Sequence, residues 1–192
     1  MRRVTLCVLT FAALSPESRA QGPVFAITHE ASSIKFFVKS SVALEGYFDK
    51  WDATLTFSSP EASTGVLEIK IRADSVNTGS GMKDEKLKSK AFFDVKENPV
   101  ISFVSKKITQ TGPDTFDVQG DFTIRGVTKA ETLSLKVLAE TGGGEIKGTM
   151  AFDRKDYGMN SGIPFIKIAD RVEVTINLTA RRLSGPPVAL KR

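Results

Sequence analysis

A period-two alternation of apolar and polar residues recurs along almost the whole chain, and it constrains the fold more than any other feature. Val66–Arg72 sets Leu67, Ile69 and Ile71 against Glu68, Lys70 and Arg72. Phe116–Ile124 is cleaner still, with Phe116, Val118, Phe122 and Ile124 alternating with Asp117, Gln119, Asp121 and Thr123. Side chains on a strand point alternately to opposite faces, so such segments are strands with one buried face. The same reading gives strands at Val24–Ile27, Ser33–Lys39, Gly46–Ser58, Val100–Ile108, Glu131–Leu138, Ile146–Phe152 and Arg171–Arg182. Within Gly46–Ser58 the alternation places Tyr47, Asp49, Trp51, Ala53, Leu55 and Phe57 on one face. No long helical pattern alternates with these strands, which excludes a parallel α/β sheet. Eight to nine antiparallel strands, each with one apolar face, point to a closed barrel or a sandwich. A barrel of about eight strands is just wide enough inside for side chains or one small ligand.

One stretch breaks the series. Gly79, Ser80 and Gly81 stop a strand, and Asp84 and Glu85 then sit where a first helical turn favours negative charge. Asp84 and Lys88 are spaced as an i,i+4 ion pair. Met82 and Leu87 are too far out of phase to make an apolar stripe, so the helix is short. Phe92 and Phe93 follow, and Asn98-Pro99 turns the chain into the next strand. A short polar helix followed by an aromatic pair suits the closed end of a barrel, either as core plug or as ligand lid. Asp153–Ala169, with Gly158, Gly162 and Pro164, reads as a long loop.

The first twenty residues read as a signal peptide. Arg2 and Arg3 precede an apolar run, Val4–Leu14, too short to span a bilayer, and Ser18-Arg19-Ala20 offers small residues for cleavage after Ala20. Cleavage removes three cations and one anion, taking the formal charge from +5 to +3, and removes the sole cysteine, Cys7. The expected mature chain is therefore periplasmic or secreted, free of disulfides, and without stable membrane insertion. Its basic residues are scattered singly along outer faces, which gives no basis for a nucleic-acid surface. The tail 183–192 is basic, carries Gly185-Pro186-Pro187, and is expected to be disordered.

Catalytic and metal chemistry find little to work with. His29 is the one histidine, and zinc or copper sites need several such ligands. There is no G-x-S-x-G and no phosphate-binding loop around Gly142–Gly144. Asp49, if buried on its apolar face, would have a raised pKa and could act as an acid or base. Asp153 and Arg154 form a second candidate pair, with anchoring of the long loop as their other reading.

Several stretches together resemble the YceI-like family of polyisoprenoid-binding, lipocalin-like periplasmic proteins. They are Ser32–Ser40, Glu45–Phe57, Ser75–Ser105, Val118–Leu133 and Phe152–Asn160, in the family order and followed by the last strand. The resemblance implies an all-β fold, an extended eight-stranded antiparallel lipocalin-like barrel with a short helical insertion over residues 21–182. It implies an apolar tunnel for a long-chain isoprenoid or similar amphiphilic lipid, with no other cofactor; no metal is expected, because His29 is the one histidine. On that reading the chain is a binding or carrier protein rather than an enzyme. The wall would include Phe36, Trp51, Leu55, Ile69, Phe103, Phe122 and Phe152, with Phe92, Phe93, Tyr157 and Phe165 near the openings. The alternative is a barrel enzyme acting on a lipid through Asp49 or Asp153/Arg154. Ser40, Lys86 and Arg125 stand where family members often carry histidine, and Lys86 and Arg125 would draw an anionic headgroup if they faced the tunnel mouth. The strand Val100–Ile108 is apolar on both faces near its start, which suits a homodimer contact or an inner core.

Overall fold

The computed structural model describes residues 22–41, 44–162 and 167–190. Ten strands and one α-helix follow in order: β1 Val24–Ser40, β2 Leu44–Phe48, β3 Trp51–Phe57, β4 Gly65–Arg72, β5 Val76–Asn77, α1 Gly81–Lys88, β6 Val100–Gln110, β7 Thr115–Ile124, β8 Val127–Glu140, β9 Gly143–Asp153 and β10 Ile168–Ser184. The sheet runs β10-β9-β8-β7-β6-β4-β3-β1-β2-β5, and a further β10–β1 pairing closes it. Because β2 and β3 are successive pieces of one wall strand and β5 is a two-residue spur, this is a closed eight-stranded antiparallel barrel. Closure leaves no long unpaired edge.

The alternating residues face inward as the pattern requires. On β4, Leu67, Ile69 and Ile71 are buried; on β7, Phe116, Val118, Phe122 and Ile124 are buried. On β6 the two apolar faces are both real. Ile101 and Phe103 point into the core, whereas Val100 and Val104 are exposed on the outside.

Two strand boundaries differ from the sequence reading, each for a local reason. The expected strand Gly46–Ser58 breaks at Asp49-Lys50. Asp49 N donates to Ser75 O at 3.1 Å, and Lys50 N donates to Ser75 Oγ at 3.0 Å, so two residues leave the ladder. The phase shifts across the break: Phe48 and Trp51 both face inward, while Tyr47 and Asp49 face solvent. Conversely, Val24–Ile27 and Ser33–Lys39 are one strand. A bulge lies between Thr28 and Ser33, where the partner strand advances only from Thr179 to Asn177. Ser32 Oγ accepts from Thr179 N at 2.9 Å and donates to Thr28 O at 2.6 Å, which carries the strand through the irregularity.

Tight hairpins set the register of the long strands. The β7–β8 turn consists of Arg125 (φ 58°) and Gly126 (φ 71°), the left-handed pair that a two-residue primed turn requires. The tail is not free of the barrel. Ser184–Leu190 crosses its end, where Ala189 N donates to Pro60 O at 2.7 Å and Ala189 bridges Glu61. Pro187, Val188 and Leu190 face apolar barrel residues there, a contact that disorder would forgo.

Candidate functional site: the apolar interior

The helical insertion closes one end of the barrel, and its geometry follows from a few polar anchors. Asp84 Oδ1 accepts from Thr78 N at 2.8 Å and from Thr78 Oγ1 at 2.6 Å, tying α1 to the strand before it. Lys88 pairs with Glu85 at 3.4 Å, not with Asp84 as the spacing suggested, because Asp84 is held by Thr78. Leu87 is the buried side chain of the helix and Met82 lies in solvent. After Ser89 the chain turns back on itself, with Phe93 N donating to Leu87 O at 2.9 Å and Val95 N to Lys88 O at 3.1 Å. This turn drives Phe92 and Phe93 into the barrel, where both are buried.

Two arginines lock that end. Arg125 donates from Nη2 to Lys90 O at 3.0 Å and from Nη1 to Gly158 O, joining the β7–β8 turn to the insertion and the long loop. Arg154 is buried and donates to the carbonyls of Ala169 (3.1 Å), Ser161 (3.1 Å) and Met159. Its remaining nitrogen meets Asp170 Oδ1 at 3.0 Å. The hydrogen bond from Lys155, reinforced by its charge and that of Arg154, holds the Asp170 carboxyl below the ordinary aspartate range. Tyr157 is fully buried and donates to Glu131 Oε1 at 2.9 Å. Burial first, then the Glu131 hydrogen bond and the charges of Glu131 and Asp156, push its hydroxyl well above the usual phenol range.

Inside this end lies a small apolar cavity of about 70 Å³, lined by Phe36, Phe48, Phe92, Phe93, Phe122 and Phe152 among others. Phe122, Phe152 and Tyr157 form a ring cluster with centroids 5.1–5.5 Å apart, the two contacts to Tyr157 being edge-on. At the opposite end a larger apolar cavity of about 190 Å³ is walled by Phe25, Leu55, Phe57, Ile108, Phe116, Leu135 and Val137, and roofed by Pro187, Val188 and Leu190. Glu140, which is exposed, and Arg182, which is half-buried, are the charged residues of its lining. The section between is filled: Ile69, Phe103, Val118, Leu133 and Ile176 are buried there and line neither cavity. Gly120 makes room for Phe103, since a Cβ on it would stand 2.8 Å from that ring. Trp51 is buried level with Ile71, lines neither cavity and stacks on His29, with centroids 4.1 Å apart.

The expected wall residues thus divide. Phe36, Phe92, Phe93, Phe122 and Phe152 line the smaller cavity, and Leu55 lines the larger. Ile69 and Phe103 belong to the filled section, Trp51 is buried but lines neither cavity, and Tyr157 packs behind the smaller cavity. Phe165 lies outside the described residues, as does the expected signal peptide. Asp49 is exposed and accepts from Asn77 Nδ2 at 3.2 Å, so it is neither buried nor aimed into the barrel. Asp153 caps the turn Arg154–Tyr157 by accepting from Lys155 N at 2.8 Å. Arg125 is engaged as a clamp, and Lys86 lies 6.0 Å from the Phe92 ring, exposed. Sequence reasoning missed the larger cavity's tail-end wall. Phe57 and Phe116 were already on inward faces, but nothing local shows that Pro187–Leu190 returns to cover them. Among the described residues, no three His, Cys, Asp or Glu side chains gather as metal ligands would, and no helix is long and apolar enough to cross a membrane.

A closed eight-stranded barrel with an apolar interior and one helical insertion defines a lipocalin-like class of β-barrel. Residues 25–180 match the model of the YceI-like domain, and the chain belongs to that family. A UPF0312 protein of Pseudomonas savastanoi pv. phaseolicola is 29% identical over 133 residues, covering 66% of this chain and 69% of that one. The crystal structure of Burkholderia cenocepacia BcnA superposes with a TM-score of 0.74 at 24% identity, covering 80% of this chain and 99% of BcnA. A polyisoprenoid-binding domain from Saccharophagus degradans, implicated in plant cell wall breakdown, superposes with a TM-score of 0.63 at 15% identity, covering 83% of this chain and 99% of that domain.

Proposed function

We propose that this chain is an exported binding protein that holds a long-chain isoprenoid or similar amphiphilic lipid in its barrel. The observation that carries the proposal is the cavity of about 190 Å³ with a predominantly apolar wall, to which Glu140 and Arg182 are the charged contributors. A dry cavity of ~150 Å³ lined by Leu, Ile and Phe binds benzene. The larger cavity therefore holds the end of a hydrocarbon chain in the closed barrel, and a longer chain requires the roof and the filled section to give way. Each buried methylene contributes ~0.8 kcal/mol, so an isoprenoid binds through length rather than through specific polar contacts. The polyisoprenoid-binding domain with the same fold supports this ligand class. The apolar run Val4–Leu14 and the small residues at Ser18 and Ala20 support export.

Binding is favoured over catalysis because the carboxyl best placed by sequence, Asp49, sits in solvent, and Arg154 has its donors committed to backbone carbonyls and Asp170. The test is a titration of the delipidated protein with undecaprenyl phosphate, monitored by isothermal titration calorimetry. Saturable binding that Leu55→Trp weakens at least tenfold, with the melting temperature preserved, supports the proposal. Absence of saturable binding to undecaprenyl phosphate and to a C16 fatty acid overturns it.

A further inference from the structure

We infer that lipid is taken up at the end of the barrel covered by the tail, with Gly185–Leu190 acting as a displaceable strap, and not through the helical insertion. The inference rests on the lipid-binding reading above and assigns its portal. The two ends differ in how firmly they are tied. The insertion is folded onto itself by hydrogen bonds from Phe92, Phe93, Asp94 and Val95, and is clamped from outside by Arg125. Arg154 fixes the neighbouring loop through four donor contacts. Opening that end would strip several polar groups of their partners at once, each costing free energy if it stays buried.

The strap is tied differently. Ala189 N meets Pro60 O at 2.7 Å beside the bridge to Glu61, and Arg182 Nη1 meets Gly185 O at 3.3 Å. It also makes apolar contact: Pro187, Val188 and Leu190 line the larger cavity. Gly185 (φ 81°) supplies the hinge. A Cβ there would meet Gly22 O at 2.7 Å, so the chain bends away from the barrel wall at the one residue type that fits. Apolar contact is non-directional, so an entering hydrocarbon replaces what the strap gives up when it lifts. Gly185, Pro186, Pro187 and Ala189 are mostly exposed, so lifting the strap uncovers little buried polar surface of its own.

The test locks the strap. Glu61 and Ala189 oppose each other across a bridge, where strands lie ~4.8 Å apart, inside the Cα range of a disulfide. Glu61→Cys/Ala189→Cys is made in a Cys7→Ser background, and a second variant ends the chain after Ser184. Loading of N-phenyl-1-naphthylamine is followed by stopped-flow fluorescence. The oxidised lock is expected to load at least tenfold more slowly than wild type and to recover on reduction. The truncated chain, if its near-ultraviolet circular dichroism is native, is expected to load at least threefold faster. A locked protein that loads at the wild-type rate overturns the portal while leaving lipid binding intact. Failure of wild type, reduced lock and truncated chain alike to take up the probe or undecaprenyl phosphate overturns the lipid-binding reading and the portal with it.

Discussion

Truncating Phe122 to alanine tests the packing of the helix-end interior most sharply. Phe122 is 6% exposed and touches the rings of Phe152 and Tyr157 with centroids 5.1 and 5.5 Å away. A buried phenylalanine removes ~150–250 Å² from water, which at ~25 cal/mol/Å² gives about 4–6 kcal/mol as an upper bound. Core Phe→Ala changes cost ~3–5 kcal/mol. The expected loss is therefore about 4 kcal/mol, or a fall in melting temperature of about 8–16 °C for a chain of this size. Urea unfolding of Phe122→Ala, Phe152→Ala and the double variant measures both the loss and the coupling. The ring pair is expected to couple by ~0.5–1.5 kcal/mol. A Phe122→Ala loss below about 1.5 kcal/mol, or strict additivity with Phe152→Ala, would refute the packed ring cluster described above.

Three other outcomes follow from the polar anchors. Arg154→Met strips partners from the carbonyls of Met159, Ser161 and Ala169 and leaves Asp170 unpaired on one side, so urea unfolding is expected to show a loss of about 3–5 kcal/mol, with faster amide exchange at Met159–Ser161. The folded-state pKa of Tyr157 is raised, so its stabilisation is intact below the unfolded value of about 10 and is lost as pH climbs beyond it. Melting temperatures taken from pH 8 upward should fall more steeply for wild type than for Tyr157→Phe. The folded-state pKa of Asp170 is depressed, so its contribution holds above the unfolded value of about 3.9 and drains away as pH falls below it. Asp170→Asn should flatten that acid limb of the melting curve.

The strands were legible because each carries its own evidence. Phe116–Ile124 alternates without fault, and the structure gives β7 as Thr115–Ile124. The helix was legible from Gly79–Gly81 and the acidic first turn, and its shortness from the misphased Met82 and Leu87. What failed depended on contacts distant in sequence. The phase break at Asp49-Lys50 is imposed by Ser75, and the continuity of β1 across His29–Ser32 by Thr179. A periodic window sees neither partner, so the alternation places Asp49 on the inner face and Tyr47 with it. The same blindness applies to the interior. Alternation identifies Trp51, Ile69, Phe103 and Phe122 equally as inward residues, but only their three-dimensional heights separate a filled section from a cavity wall. Arg125 is a further case. The sequence reading offers it to an anionic headgroup at the tunnel mouth, yet its guanidinium reaches carbonyls of two other segments.

The proposal that the barrel holds a long-chain amphiphilic lipid is tested most directly by mass spectrometry of an organic extract of the protein purified from its native host. An isoprenoid or acyl lipid is expected at a stoichiometry approaching one per chain, released in parallel with a change in Trp51 emission. An extract free of lipid, from protein that also refuses added polyprenyl lipid, would contradict it.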